Sequence, residues 1–381
     1  MDLETPLTTP AGPRARLRHA VLATLVASAA ALAVLALSSP GTEPAGQLAS
    51  RSLPKPEVSA LSAVVMDRAS GVVLYAKAPR RHLPIASLTK IMTAMLVLER
   101  TPDLEAYVEV PAEAVGQHGA GIGLRPGDRI KVRQLLLGLM VRSATDCAVT
   151  LATAVAGDEP SFVALMNRRA ARLGLEDTHF VNCTGLNVPG HYSCARDLSE
   201  LGRRAMRDPR FRKLADRVWA RVQWPPAHQA FIVSRNRLNA RYDWVDGIKT
   251  GSTYGTGACM VASGKYGGRR LIVTTLHEPN RTTEVRDALR LFAYGASNFS
   301  RSVVVRRGQQ VGKIAVAGDT VPLVADEDLT RLVRRGATVK RRLQVPGRLH
   351  APTDAVVGYA RFWADGVPLG AVPVRTAEPS P

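Results

Sequence analysis

Ser87 and Lys90 stand three residues apart in the stretch Pro84-Ile85-Ala86-Ser87-Leu88-Thr89-Lys90-Ile91-Met92-Thr93-Ala94. One turn of helix sets residues i and i+3 on the same face, so this spacing puts an ammonium beside a hydroxyl. A serine hydroxyl is a weak nucleophile at its free pKa. A desolvated lysine whose own pKa is depressed can take its proton. Such a pair offers attack on a carbonyl carbon with a covalent acyl intermediate. The apolar run that follows (Ile91, Ala94, Met95, Val97 and Leu98) has the period of a buried helix and ends near Arg100-Thr101-Pro102. The same serine-to-lysine spacing occurs at Ser52-Leu53-Pro54-Lys55, but there a proline-rich linker leaves no place for a helix to start.

Two further groups set Ser87 apart from that chance match. Ser143-Ala144-Thr145 follows the apolar segment Val132 to Met140, which reads as a helix, and precedes a second helix through Ala156. Lys249-Thr250-Gly251 closes the run Val245-Asp246-Gly247-Ile248 and leads into Ala258 to Ser263. Taken singly, Ser143 reads equally well as a helix N-cap, and Lys249-Thr250-Gly251 as an ordinary strand end. Taken together and in this order, the three groups resemble the motif set of β-lactamases and penicillin-binding proteins. The resemblance implies that Ser87 attacks an amide carbonyl with Lys90 as proton acceptor, and that Ser143 relays a proton between the lysines and the leaving amine. It also implies that Lys249 and the Thr250 hydroxyl hold a substrate carboxylate, while Gly251 lets a strand edge approach the ligand backbone. Backbone N–H groups at Ser87 and at Ser252 or Thr253 are the candidates for an oxyanion hole.

The resemblance sharpens over Ala60 to about Ser297. Gly123-Leu124-Arg125-Pro126-Gly127-Asp128, Asp177-Thr178-His179-Phe180, Gly190-His191-Tyr192-Ser193 and Val245 to Gly251, with the Ser87 stretch, resemble the D-alanyl-D-alanine carboxypeptidases, the low-molecular-mass serine penicillin-binding kind. Ala351-Pro352 through Val374 is similar to that family's C-terminal domain. What this implies is removal of the terminal D-alanine from peptidoglycan stem peptides through an acyl-enzyme at Ser87. β-Lactam antibiotics would act as inhibitors by acylating the same residue, with no metal and no cofactor.

Three departures from the family pattern stand out. Thr145 occupies the third position of the second motif, where the family has Asn; a hydroxyl has less reach than an amide that donates and accepts at once. The chain stops at Glu378-Pro379-Ser380-Pro381, which cannot form the family's amphipathic membrane helix, so anchoring falls to the N-terminus. The family's carboxylate-binding arginine after the third motif is matched by two candidates, Arg281 and Arg286. The first departure keeps open a catalytically weakened cell-wall-binding homologue. A β-lactamase is a further alternative and needs a deacylating base, for which Glu159 and Glu176 lie in the right broad interval. His179 and His191 are expected to serve the loop and its packing, since a lysine-activated serine does not need them.

The elements that must position these residues read as α/β. Ala60–Met66 and Val72–Tyr75 form a hairpin; Leu104–Val110 and Arg129–Val132 are short strands flanking the glycine-rich run Gly119 to Asp128. That run lacks the Gly-Lys-Ser/Thr ending of a phosphate cradle and reads as a turn. Helices are expected over Ser161–Leu173, Asp197–Ala205 and Val285–Ala296, with a buried strand at Arg270–Leu276 after the Gly267-Gly268 turn. The expected architecture is an α+β sandwich of the β-lactamase/penicillin-binding transpeptidase-like type, catalytic groups at its seam. From Ser302 the pattern changes to short β-branched segments between Gly, Pro and Asp-Gly turns, a small all-β C-terminal domain acting as spacer or docking module.

The N-terminus and the composition bear on location. Arg14, Arg16 and Arg18 precede an unbroken apolar run, Ala20 to Leu37, at the border between a signal-peptide core and a membrane span. Charge before the run predicts an inside N-terminus and an extracytoplasmic body, either anchored or secreted after cleavage. The expected organisation is a cytoplasmic tail (1–19), the signal peptide or anchor (20–37), a Pro/Gly-rich linker (38–58), a catalytic domain (59–299), the β-rich domain (300–375) and a tail (376–381). With 381 residues, 46% hydrophobic and 22% charged, the chain is globular, and its net charge of +19 asks for an acidic partner. Scattered arginine without a recognition motif suits anionic membrane or cell-wall polymers and argues against nucleic acid. Cys147, Cys183, Cys194 and Cys259 show no paired metal-ligand spacing; they read as mostly buried thiols, with a Cys183–Cys194 disulfide left open.

Overall fold

The computed structural model describes residues 53–316, 318–349 and 355–377. Two compact units divide them, one from Pro54 to Ala296 and the other from Ser297 onward with Leu53 attached. The apolar run Ala20 to Leu37 lies outside the described residues; among those described, no helix is long and apolar enough to cross a membrane.

In the first unit the chain opens with hairpin β1 (Ser62–Asp67) and β2 (Val73–Lys77). A 3₁₀ turn, Ala86–Thr89, then runs into α1 (Lys90–Arg100). Every residue of α1 from Lys90 to Leu98 is buried, so this helix is enclosed on all sides instead of amphipathic. The short pair β3 (Tyr107–Glu109) and β4 (Arg129–Lys131) flanks the glycine-rich run. Next come α2 (Val132–Leu137), a π-helical turn over Gly138–Arg142, α3 (Thr145–Ala156), α4 (Glu159–Leu173) and α5 (Ala195–Ala205). A helix α6 (Pro209–Ala215), hairpin β5 (Trp219–Trp224) and β6 (His228–Val233), and α7 (Arg237–Arg241) complete the middle. Then β7 (Val245–Gly251), β8 (Ala258–Tyr266) and β9 (Arg269–Glu278) return to the sheet before α8 (Arg281–Ser297).

The five strands form one antiparallel sheet in the order β2-β1-β9-β8-β7. The first strands therefore pair with the last, Val65 opposite Val273, and the helical middle is an excursion between them. Helices cover both faces. Gly295 of α8 comes against Val65 and Leu271, so close that a methyl group there would overlap them. On the opposite face α5 places Gly202 against Val261 and Ile248, and Ser199 hydrogen-bonds Thr274 at 2.8 Å. Lys249 is in register with Val261, which turns its side chain toward the face that α5 and the helical middle occupy. The sheet edge β7 is thereby aimed at the helices that carry the two serines.

The second unit is all β. A two-stranded ribbon pairs β10 (Phe299–Val305) with β13 (Leu329–Arg334). A six-stranded sheet contains β11 (Gln310–Val316), β12 (Asp319–Ala325), β14 (Val339–Gln344), β15 (Arg348–Leu349), β16 (Gly358–Ala364) and β17 (Val367–Thr376). Its order is β14-β16-β17-β12-β11-β15. Val311, Ile314, Leu323, Leu329, Phe362, Val372 and Val374 make its core. The edge strand β14 carries Lys340, Arg341 and Arg342, all exposed; charge on an unpaired edge discourages further strand pairing.

Candidate active site

Ser87 sits on the 3₁₀ turn ahead of α1, not on the α-helix that its spacing suggests, and Lys90 is the first α-helical residue. In a 3₁₀ turn residues i and i+3 eclipse, so the expected neighbourhood survives the change of helix type. Lys90 Nζ donates to Ser87 Oγ at 3.2 Å. Entry into the turn costs Ala86 a left-handed backbone, with φ at 47°. That conformation is held from three sides. Thr89 Oγ1 donates to the Ala86 carbonyl at 2.9 Å, a methyl group on Gly185 would overlap that same carbonyl, and one on Gly251 would come within 2.9 Å of the Ser87 nitrogen. The end of β7 thus lies directly against the backbone of Ser87.

Lys90 is 1% exposed, and burial pushes its pKa down to about 8, an effect that Cys183, Cys147 and Asp146 partly offset. Its ammonium also donates to the Thr184 carbonyl at 2.5 Å. Asn182 shapes that loop, its Oδ1 accepting from Thr184 Oγ1 and from the backbone of Thr184 and Gly185. Lys90 is therefore fixed between the Ser87 hydroxyl and a backbone oxygen.

Ser143 follows the π-helical turn, in a left-handed conformation with φ 66° that turns its side chain back before α3 begins. Lys249 Nζ donates to Ser143 Oγ at 3.0 Å and to the Thr250 carbonyl at 2.9 Å. Burial moves the Lys249 pKa well below its ordinary value, and the positive charges of Lys90, Arg281 and Arg235 push it the same way. Thr145 is buried at the start of α3, its N–H donating to the Ala120 carbonyl at 2.6 Å. Its hydroxyl lies so near Gly119 that a methyl group on that glycine would stand 2.8 Å from it. Asp146, the next residue, gathers the glycine-rich run: one carboxylate oxygen accepts from the Ile122 and Gly123 N–H groups at 2.9 and 3.2 Å.

Ser87, Lys90, Ser143, Thr145, Lys249, Thr250 and Gly251 line one cavity of about 310 Å³, together with Thr184, Arg235 and Arg281. His118, Gly119, Ala120 and Gly121 line it too, so the glycine-rich run is a wall of the cleft as well as a turn. The two arginine candidates separate. Arg281 lines the cavity, with Nη2 donating to Ser252 Oγ at 2.9 Å. Arg286 is outside it, bonded to Asp287 and Ser59. Of the two oxyanion-hole candidates after the third motif, the Thr253 N–H is engaged, donating to Thr256 Oγ1 at 2.8 Å. Arg235, Asp146, Asn182 and Thr184 are additions that sequence reasoning did not single out.

The remaining candidates lie elsewhere. His191 Nδ1 accepts from the Val181 N–H, so Nε2 carries the proton toward Thr89 Oγ1 at 2.8 Å; burial lowers its pKa to about 4 and keeps it neutral. His179 Nδ1 donates to the Gly190 carbonyl. Both histidines strap loops together, as expected. Glu159 accepts from the Cys183 N–H and Glu176 pairs with Arg80; neither lines the cavity. All four cysteines are buried free thiols, so Cys183 and Cys194 form no disulfide. Asp177, Cys194 and Asp197 approach one another closely, but internal donors occupy them: Asp177 meets Arg80 and His82, and Asp197 accepts from the Asp177 N–H and Thr178.

Comparison with known proteins gives one family. Residues 49–280 match the model of the D-alanyl-D-alanine carboxypeptidases. The D-alanyl-D-alanine carboxypeptidase DacD of Escherichia coli is 34% identical over 272 residues, 68% of each chain. DacF of Bacillus subtilis is 29% identical over 331 residues, 84% of this chain and 85% of its own. Among solved structures, penicillin binding protein 5 of Haemophilus influenzae aligns with a TM-score of 0.68 at 27% identity, covering 86% of this chain and 98% of that one. The Streptomyces K15 DD-transpeptidase aligns with a TM-score of 0.61 at 30% identity, covering 64% and 99%.

Proposed function

The chain belongs to the D-alanyl-D-alanine carboxypeptidase family, and from that premise we propose that Ser87 is its nucleophile and Lys90 the base that activates it. The protein is a serine D,D-carboxypeptidase of the low-molecular-mass penicillin-binding kind, acting on peptidoglycan stem peptides and acylated by β-lactams. The observation that carries the residue assignment is the convergence of two serine–lysine pairs, 3.2 and 3.0 Å apart, on one cavity.

Neutral Lys90 takes the proton of Ser87, and Oγ forms a bond to the carbonyl carbon of the penultimate residue. The N–H groups of Ser87 and Ser252 receive the oxyanion. As the C–N bond breaks, Ser143 passes a proton to the amine of the departing D-alanine, and water then hydrolyses the ester. Lys249, Thr250 and Arg281 face the terminal carboxylate, with Arg235 adding positive potential at the rim. Neither Glu159 nor Glu176 reaches the cavity to speed deacylation, which supports a long-lived β-lactam adduct over the β-lactamase reading.

The body works outside the cytoplasmic membrane, held or exported by the Ala20–Leu37 run, and its charge of +19 favours anionic wall and membrane polymers over nucleic acid. Intact-protein mass spectrometry after exposure to penicillin tests the assignment. The expected result is a stable adduct absent from Ser87→Ala, together with D-alanine release from a stem pentapeptide by the native protein alone. No adduct over hours, with the fold intact, would move the reading to a wall-binding homologue.

A further inference from the structure

Arg281 is the first residue of α8, where a cation is out of place. The N-terminus of a helix is its positive end, and the macrodipole there favours anions. The turn has its own cap as well: Asn280 Oδ1 accepts from the Thr282 and Thr283 N–H groups at 2.9 and 3.0 Å. Something else holds the guanidinium. Arg281 Nη1 donates to both oxygens of Glu284, at 2.7 and 3.0 Å, and Nη2 reaches across to Ser252 Oγ at 2.9 Å. The Glu284 side chain is 2% exposed, whereas that of Arg281 is 23% exposed and lines the cavity.

A buried carboxylate is a poor stability device. Its desolvation consumes most of what its ion pair returns. Burial raises Glu284 to about 7 even with the Arg281 charge beside it, and Arg237 and Lys249 near enough to pull the other way. Glu278, itself fully buried, is raised to about 7 by its own burial and by the carboxylates of Asp287 and Glu284. An exposed glutamate at the same i,i+3 spacing would neutralise Arg281 without that desolvation. Burial adds orientation: a carboxylate that cannot move grips Nη1 from both oxygens and fixes the plane of the guanidinium.

We propose that Glu284 is a positioning residue for recognition of the substrate's terminal carboxylate, holding Arg281 so that its remaining donors face the cavity beside Lys249 and Thr250. Glu284 touches no substrate, and the hydrogen bonds of its carboxylate go to Arg281. The inference rests on the carboxylate subsite described above.

The test compares kcat/KM for a stem peptide ending in a free carboxylate with that for the same peptide ending in a carboxamide, in wild type, Glu284→Gln, Arg281→Ala and the double variant. In Glu284→Gln the acid-to-amide preference is expected to fall by about tenfold to a hundredfold, through KM, as when a reacting geometry is loosened from outside. The amide peptide should be turned over as before, and Glu284→Gln should add nothing once Arg281 is Ala. Equal losses on both peptides, or a further loss of preference in the double variant, would overturn the proposal. If wild type itself shows no preference for the acid, the subsite reading falls and the proposal falls with it, a result distinct from a preference that Glu284→Gln leaves intact. Should Glu284→Gln fail to fold, Glu284→Asp carries the test: it keeps the charge and loses the two-point grip, so its preference should drop as well, and an unchanged preference would be fatal.

Discussion

The two serine–lysine pairs that face each other across the cleft look alike and are built differently. On one wall Ser87 and Lys90 come from a single turn of chain, and Lys90 has a carbonyl, Thr184 O, to receive its second hydrogen bond. On the other wall Ser143 and Lys249 are 106 residues apart in sequence, and the charges set closest to Lys249 are mostly cations. Burial depresses both lysines, Lys90 to about 8, and at Lys249 the positive charges of Lys90, Arg281 and Arg235 push the same way. The difference teaches how two identical side chains divide labour. Lys90, poised near working pH and in contact with the nucleophile, is suited to accept a proton. Lys249 sits among Lys90, Arg281 and Arg235 with Glu284 as the opposing charge, a field suited to the substrate carboxylate proposed to bind there.

That division can be broken from the Lys90 side first. Lys90→Met removes the base from Ser87 and is expected to lower penicillin acylation by about a thousandfold or more, in the range of lost general-base catalysis. Stopped-flow or gel-based acylation rates check it. Lys249→Gln should cost less, about a hundredfold in kcat/KM, the scale of removing one preorganised electrostatic partner. A larger loss than in Lys90→Met would reverse the assignment of roles.

A pH profile sharpens the same contrast. With Lys90 as the proposed base its neutral form is the active one, and kcat/KM should climb toward a plateau as pH rises through about 8. The stability sign follows: a lysine lowered on folding is better protonated in the unfolded chain, so stability should increase between about pH 8 and the ordinary 10.5. Thermal melts across that window are the measurement, with the rise reduced in Lys90→Met and the part from Lys249 retained.

Thr145→Asn is expected to change kcat/KM by less than about tenfold, the worth of one hydrogen bond. The site around Thr145 is complete, with its N–H bonded to Ala120 and its hydroxyl packed on Gly119. A hundredfold gain would instead mark the natural chain as a weakened homologue. The smallest effect concerns His191, which does no chemistry. Its pKa of about 4 against an ordinary 6.5 means that stability declines as pH falls through that interval, and His191→Gln should flatten that part of the melting curve by a few degrees.

Much of this site is legible in the chain because its chemistry is local. The Ser87–Lys90 spacing, the helix behind it and the strand that ends at Gly251 are all periodic or adjacent features. What escapes the sequence depends on fold. The choice between Arg281 and Arg286 turns on which one faces the cleft, and both fall within the first two turns of the same helix. Asp146 sits beside a motif, but its task, gathering the amides of a loop more than twenty residues earlier, belongs to tertiary structure. The glycine-rich run reads as a turn because nothing local says that its backbone walls a cavity. The hairpin β5–β6 carries its own signal, with Ala220, Val222 and Trp224 buried between exposed Arg221 and Gln223, yet a single six-residue alternation is short evidence for a strand. In the second unit β13 and β14 are too rich in arginine to read as strands, and partners across the sheet decide the matter.

Gly185 and Gly251 close on Ser87 so tightly that neither position has room for a methyl group. For a population under antibiotic selection this removes a whole class of escape. Substitutions that narrow the cleft at the nucleophile would displace the backbone that makes it reactive, and the natural peptide would be lost with the drug. Variation that discriminates between them has to arise where side chains still meet solvent, at His118, Ala120 or Arg235 on the rim. Surveillance of resistant lineages would therefore look outward from Ser87, to the solvent-exposed positions that line the mouth of the cavity.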